Sequence, residues 1–332
     1  MSRKVCLTGI KPTGTPHIGN YLGAIRPAIE LANKYDARYF IADYHAVNSV
    51  KDPKMLKELT LKLAATWLAC GLDPEKVMFY RQSDVPETFE LTTLLMAYTP
   101  KGMMNRAHAY KAKVHENKEN EKDEDAGINM GLYTYPVLMA ADILLFNTNI
   151  VPVGKDQKQH VEMTADIAQT FNHTCGDEIL VVPEPVIGVE TQTIVGLDGR
   201  KMSKSYDNVI PLFLPQKKFR KIIMKIVTNS QGIEEPKDPD KSSIFSLYKL
   251  FTDSERQAAE RERYLAGGMG WGHAKQALFE VMNAHFAPMR EKYDELMDNP
   301  GHIEKILAEG AEKARDIASK TIQRVRKAVG IQ

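Results

Sequence analysis

Residues 5–20 constrain the fold more than any other stretch of this chain. Val5, Cys6 and Leu7 are apolar and favour extended backbone, which suits a buried strand of a parallel sheet. Gly9 ends that strand. The loop behind it holds Pro12, Gly14 and Pro16 and cannot be helical. From Ile18 the apolar spacing turns helical, with Ile18, Leu22, Ile25 and Ile29 four, three and four residues apart. This order predicts free backbone N–H groups and the positive end of a helix dipole above the sheet, a natural seat for phosphate. His17 can donate a hydrogen bond there, and Gly19 allows a flat ligand close to the backbone. A plain helix cap with a loop histidine accounts for the same residues equally well. Pro27 interrupts the helical spacing at a cost of about 3 kcal/mol if it is interior. A kink, or a short first helix with Pro27 opening a second, is therefore expected.

The alternation continues. Arg38 to Ala42 reads as a buried strand ending at Asp43, followed by Tyr44, His45 and Asn48. Residues at strand C termini line the ligand crevice of a doubly wound sheet, so Asp43 and His45 are site candidates as well as ordinary loop residues. Asp52-Pro53 opens a helix that runs to about Ala69 and stops at Gly71. Val77 to Tyr80 is a strand, and Glu87 to about Tyr98 a helix behind Pro86. Strands and helices in turn argue for βαβ units.

The connection from Thr99 to Gly127 is basic in its first half, Asn105 to Lys113, and densely charged from Glu116 to Asp125. Solvated, disordered backbone is expected over residues 115–126. Tyr135 to Phe146 is a buried helix carrying one acid, Asp142, on the face of Leu138, Met139 and Leu145. A carboxylate on an apolar face needs a partner, either structural or a ligand. Ile150 to Val153 is a strand, Gly154 to Gln157 turns into a helix reaching about Thr170, and Ile179 to Val182 is a further short strand. Beyond Pro211 only helical periods remain, in Phe219–Ile226, Ile244–Leu250, Ala277–Met289 and Ile303–Val329. The fold class expected is α/β: a Rossmann-like parallel-sheet domain over residues 1–210 and a C-terminal α-helical domain over 211–332.

Charge makes no global claim on nucleic acid, since 44 Lys and Arg face 43 Asp and Glu. Residues 211–332 carry 21 cations against 17 anions and the earlier part 23 against 26, a mild bias toward a polyanion-facing C-terminal part. On the last helix Lys320, Arg324 and Lys327 share a face, and Lys218, Lys221 and Lys225 do so on the first helix after Pro211. Either an RNA-facing surface or a solvated one suits them. Cys6, Cys70 and Cys175 have no paired spacing and suit a reducing compartment. His173-x-Cys175 has no second pair, so no metal site is expected. Neither a signal peptide nor a membrane span is readable.

A second stretch, Gly196-Leu197-Asp198-Gly199-Arg200-Lys201-Met202-Ser203-Lys204-Ser205, is a polar, glycine-bearing loop with two lysines three residues apart. Taken with His17-Ile18-Gly19-Asn20, it resembles the two motifs of class I aminoacyl-tRNA synthetases. Ala42 to Ala46, Tyr135 to Leu145 and Val151 to His160 extend the resemblance over nearly the whole chain, toward the bacterial tryptophanyl-tRNA synthetases. The resemblance implies activation of L-tryptophan with ATP and Mg²⁺, then transfer to tRNA(Trp), by a cytoplasmic homodimer with no membrane attachment.

It also implies residue roles. Asp142 would accept from the indole N–H, with Leu7, Gly9, Asp43, His45, Tyr135, Met139 and Gln157 around the amino acid. Lys11, Thr13, His17, Gly19, Asn20, Gly154, Asp156 and Gln157 would lie along ATP with Lys201, Met202, Ser203, Lys204 and Ser205. His17, Lys201, Lys204, Lys111 and Lys113 would act on the phosphates, the lysine loop closing over them as a gate. An indole nitrogen only donates and an ionised Asp142 only accepts, so a substrate lacking the donor is expected to leave a buried carboxylate unpaired. Lys11 departs from the family, many of whose members have Gln there, and His17 stands where many carry a hydroxyl. A tyrosyl-tRNA synthetase, a small nucleotidyltransferase and a non-catalytic RNA-binding relative are the competing readings. The second would lack the Lys201–Ser205 loop, and the third usually loses a motif lysine or the amino-acid acceptor.

Overall fold

The computed structural model describes residues 3–155, 157–187 and 194–331. Five strands, β1 (Val5–Ile10), β2 (Asp36–Ile41), β3 (Met78–Arg81), β4 (Ile150–Val153) and β5 (Glu184–Ile187), form one parallel sheet in the order β3-β2-β1-β4-β5. The order reverses at β1, so the crevice beyond Ile10 and Val153 is the topological switch point where such sheets bind ligands.

Helices connect the strands. A single turn α1 (Ile18–Asn20) runs into a π-helix at Tyr21–Ile25 and then α2 (Arg26–Ala32), so Pro27 does open a second helix. The turn α3 (Asp43–Ala46) and helix α4 (Pro53–Ala69) follow β2, the latter capped by Asp52, whose carboxylate accepts from the Lys54 and Met55 N–H groups. After β3 come α5 (Glu87–Met96), α6 (Lys101–Met104), α7 (His108–Glu119) and α8 (Met130–Leu144), and α9 (Lys158–Cys175) follows β4. The remainder is helical: α10 (Gln216–Ile223), α11 (Ser243–Tyr248), α12 (Ser254–Ala266), α13 (Trp271–Asp298) and α14 (Pro300–Val329).

Two expectations are corrected. The fifth strand is Glu184–Ile187, not residues 179–182. Asn172 on α9 takes the Ile179 and Leu180 N–H groups on its Oδ1 and donates to the Leu180 carbonyl, so those amides are spent before a ladder can use them. Residues 115–126 are not an open tip. Buried Asn117 donates to the carbonyls of Glu124 and Ala126 at 2.9 and 2.8 Å, folding the charged segment back onto α7.

Strand alternation splits the core between the two faces of the sheet. Cys6, Tyr39, Ile41 and Phe79 meet Trp67 of α4 and continue into Phe219, Phe245, Phe286 and Ile303 of the later helices. Leu7, Phe40 and Tyr80 meet Val137 and Ile143 of α8 and the small-residue face of α14, Ala311, Ala314 and Ala318. Gly310 of α14 lies so close to the Phe79 backbone that a Cβ there would sit 1.8 Å from its carbonyl oxygen. The last helix thus covers the free edge of β3 and runs past it from the strand C termini (Arg81–Glu304 ion pair) to their N-terminal side (Arg324 on Asn147).

Candidate active site at the switch point

The two sequence motifs meet. Ile18 N–H donates to the Ile210 carbonyl at 2.9 Å, and Leu212 N–H to that of Pro16, so the segment behind the lysine loop is stitched to the segment behind β1. Gly14 has φ +145°, and a Cβ there would meet the Lys204 ammonium at 2.8 Å. Lys204 therefore lies against the first motif, beside His17. The His17 ring fills the space over Gly19, leaving a Cβ only 2.9–3.0 Å from its atoms. So glycine there makes room for the imidazole of its own motif.

His17 is 7% exposed, and its Nδ1 has no hydrogen-bond partner. Burial, then the charge on Lys204, pulls its pKa down to about 4. It is a neutral imidazole at physiological pH. The expectation of free N–H groups at the helix start is narrowed rather than overturned: α1 has three residues, Ile18 N–H bonds Ile210, Asn20 N–H bonds the His17 carbonyl, and Asn20 Oδ1 takes the His17 N–H at 3.1 Å, while these bonds do not use the Gly19 N–H. Charge for an anion comes from side chains instead. Lys204 and Lys11 both have pKa values lowered by burial, although each reaches solvent, and Lys11 lies 5.9 Å over the Tyr135 ring. Thr13 N–H closes a turn on the Lys11 carbonyl. Lys201 and Ser205 are exposed, Met202 is buried against Gly19, and the Ser203 and Ser205 hydroxyls bond at 2.7 Å.

On the other side of β1, α8 delivers Asp142 into the core at 3% exposure. His45 Nε2 bonds its Oδ2 at 2.9 Å, and Gln82 Nε2 donates to both oxygens at 2.8 and 2.9 Å. Burial raises the Asp142 pKa against these bonds from His45 and Gln82. The carboxylate is thus already partnered from within the chain, so a substrate lacking a donor does not strand it. Its acceptor capacity is only partly used, and a further donor still fits chemically.

Gln82 was missed from sequence. Its position one residue beyond β3 is the same strand-end signal that found Asp43. Gln82 is oriented by the Tyr44 N–H on its Oε1, and Asp43 accepts from the Tyr44 and Ser83 N–H groups, with its pKa raised by burial. Tyr135 bonds His160 at 2.5 Å and packs edge-on to His45. Leu7 lies in the core beneath, Met139 is half-buried, and the Cβ side of Gly9 is filled by the Phe40 ring at 2.4–2.8 Å.

The rim is less collected. Gly154 and exposed Gln157 form the turn into α9, the Gln157 N–H on the Gly154 carbonyl, while Asp156 lies outside the described residues. Lys111 and Lys113 stand on α7, whose first N–H, from His108, is held by Gln159 of α9 at 2.9 Å. Lys113 pairs with Glu116 at 2.9 Å, on α7 rather than in the cleft of His17 and Lys204. Among the described residues no group of three or more His, Cys, Asp or Glu side chains could hold a metal ion, and no helix is long and apolar enough to cross a membrane.

A parallel sheet with a cationic cleft on one side of its switch strand and a buried acceptor on the other is built to bring a phosphate ester to a small polar ligand. A model of the family described as tRNA synthetases class I (W and Y) matches residues 2–287, and the chain belongs to that family. Within it, the similarity lies with the tryptophan branch. The tryptophan–tRNA ligase of Neisseria meningitidis is 52% identical over 100% of this chain and 99% of that protein. That of Bordetella parapertussis is 56% identical over 98% of the chain and 72% of the relative. The structure of the Campylobacter jejuni tryptophanyl-tRNA synthetase complexed with ADP and tryptophan superposes with a TM-score of 0.92 at 46% identity, covering 98% of this chain and all of that one.

Proposed function

We propose that this chain is a tryptophan–tRNA ligase acting in two steps at the switch point of its sheet. In the first, a tryptophan carboxylate oxygen attacks the α-phosphorus of ATP, the bond to pyrophosphate breaks, and tryptophanyl-adenylate forms. In the second, the 3′-terminal ribose hydroxyl of tRNA(Trp) attacks the activated carbonyl and AMP leaves. The observation that carries the reading is the buried Asp142, held by His45 and Gln82, across β1 from the Lys204–His17 cleft.

Phosphoryl transfer needs alignment and positive charge where negative charge collects. Lys204, with Lys201 on the same loop, supplies that charge beside the neutral His17, which can hydrogen-bond a phosphate oxygen without adding a full charge. Lys11 adds a cation beside Tyr135, and Lys111 and Lys113 would reach the phosphates only if α7 moves toward the cleft. Thr13, Gly19, Asn20, Gly154, Asp156, Gln157, Met202, Ser203 and Ser205 are assigned to ATP, and Leu7, Gly9, Asp43, Tyr135, Met139 and Gln157 to the amino acid. The donor set at the phosphate end is cationic and suits phosphate rather than a metal. Mg²⁺ would therefore be carried by the nucleotide rather than by residues of this chain, and would offset the phosphate charge.

The assignment of residues 1–210 to catalysis and 211–332 to tRNA anticodon binding follows the change of pattern at Pro211. A homodimer is supported by exposed apolar residues of one region, Val47, Phe89 and Met96, with Tyr44 stacked edge-on against Phe89 at 4.3 Å. The cytoplasm is where the tRNA substrate is, and it suits the buried free thiols of Cys6 and Cys70. Amino-acid-dependent exchange of pyrophosphate into ATP tests the reading. Exchange with tryptophan supports it, and exchange with another amino acid overturns it.

A further inference from the structure

Asn208, four residues behind Lys204, is 2% exposed although residues 204–207 before it are all exposed. Its side chain is fully engaged. One Nδ2 hydrogen goes to Asp198 Oδ1 at 2.7 Å and the other to the Lys201 carbonyl at 3.1 Å, while Oδ1 accepts the Ser203 N–H at 2.8 Å. Its own carbonyl takes the Leu197 N–H at 2.9 Å. One amide thus joins the entry of the loop at residues 197–198 to both sides of Met202. Neighbours are shaped to it. A Cβ on Gly196 would fall 2.4–2.5 Å from the Asn208 amide, so only glycine admits that side chain. Asp207 sits in the left-handed region at φ 50°, a turn that swings Asn208 back under the loop. Asp198, gripped by Asn208, also accepts from Arg200 N and Nε at 3.0 and 2.7 Å.

The short asparagine carboxamide supplies two donors and an acceptor in one plane; aspartate would lose both donors and set a second carboxylate against Asp198. Past Asn208, the chain reaches Ile210, whose carbonyl holds the Ile18 N–H of the first motif. The latch therefore lies between the two motifs. We propose that Asn208 is a positioning residue which holds the Lys201–Ser205 loop in the shape that brings Lys204 to Gly14 and His17. It touches no reacting atom and acts through the lysines. Its kinetic consequence rests on the ligase reading above; the shape of the loop does not.

The test combines kinetics with cleavage. In tryptophan-dependent pyrophosphate exchange, Asn208→Ala should lower kcat by about 10–100-fold, the scale of misplacing a catalytic group by an ångström. KM for tryptophan should stay within about twofold, because the Asp142 side is not in contact with the loop. Asn208→Asp should lose at least as much. In a background where Lys201 and Lys204 are both alanine, Asn208→Ala should cost no more than about twofold further, since it acts through groups already removed. Trypsin should cut the single variants after Arg200, Lys201 or Lys204 faster than the wild type under native conditions, a readout that needs no activity. Additive losses, a raised KM for tryptophan, or loop cleavage at the wild-type rate would each overturn the latch. Faster cleavage in a protein whose wild type exchanges no pyrophosphate would uphold the latch and sink the ligase reading instead.

Discussion

Asp142 offers two perturbations whose difference is worked from its contacts. In Asp142→Asn the side-chain oxygen can keep the Gln82 donor, and the new amide can donate to a neutral His45 Nε2, so the internal network survives with one tautomer changed. What is lost is charge: a bond accepted from the indole, the role proposed for this carboxylate, would fall from about 1.5–3 to about 0.5–1.5 kcal/mol. A difference of about 1–2 kcal/mol is roughly 5- to 30-fold in kcat/KM for tryptophan. Asp142→Ala removes the acceptor and also strands the buried Gln82 amide, for about 2–4 kcal/mol, or roughly 30- to 1,000-fold. Stability should move the other way. Burial raises the Asp142 pKa, so the ionised form is less favoured folded than unfolded, and its penalty sets in as pH rises past the unfolded pKa and is complete above the folded one. The neutral Asn variant should unfold at a midpoint no lower than wild type at pH 7. Pyrophosphate exchange and thermal unfolding of both variants check this. An Asn variant as inactive as the Ala variant would refute the separation of charge from shape.

His17 has its pKa lowered in the fold to about 4, so the unfolded chain binds the proton first; the stability His17 contributes is complete above about pH 6.5 and lost as pH falls toward 4. Urea midpoints at pH 4.5 and 6.5 should differ less in His17→Gln than in wild type, and a His17 ring titrating near 6.5 by NMR would contradict the burial argument. On α14, Arg315 and Arg326 bind Glu87 and Glu90 of α5, and Arg324 bonds Asn147, so of its cations from residue 313 onward Lys313, Lys320 and Lys327 are the ones to test, Lys320 being paired with exposed Asp316. Reversing these three lysines to Glu should leave exchange intact and lower the salt slope of tRNA binding by about 2, and an unchanged slope would make the face ordinary surface. Light scattering at micromolar concentration should give a dimer mass that falls to monomer in Phe89→Glu, whereas a monomeric wild type would remove the dimer.

The alternation of strands and helices was readable because period and punctuation are local, and so were the two motifs and the need of Asp142 for a partner. What escaped was set by single hydrogen bonds, some local and some spanning much of the chain. Asn172 consumes the amides of the segment with the best strand composition, displacing β5 to a stretch that contains Pro185. Asn117 orders a run whose charge density argues for disorder. Gln82 meets Asp142 sixty residues away, and the Ile18 amide is spent on Ile210 rather than left for a ligand. None of these bonds leaves a periodic trace.

The most direct test of the central claim is ATP–pyrophosphate exchange by the purified protein, with each of the twenty amino acids supplied singly. The account predicts exchange with tryptophan and at least about 10²-fold less, as kcat/KM, with tyrosine or phenylalanine. Exchange that prefers tyrosine, or none with any amino acid, would contradict it.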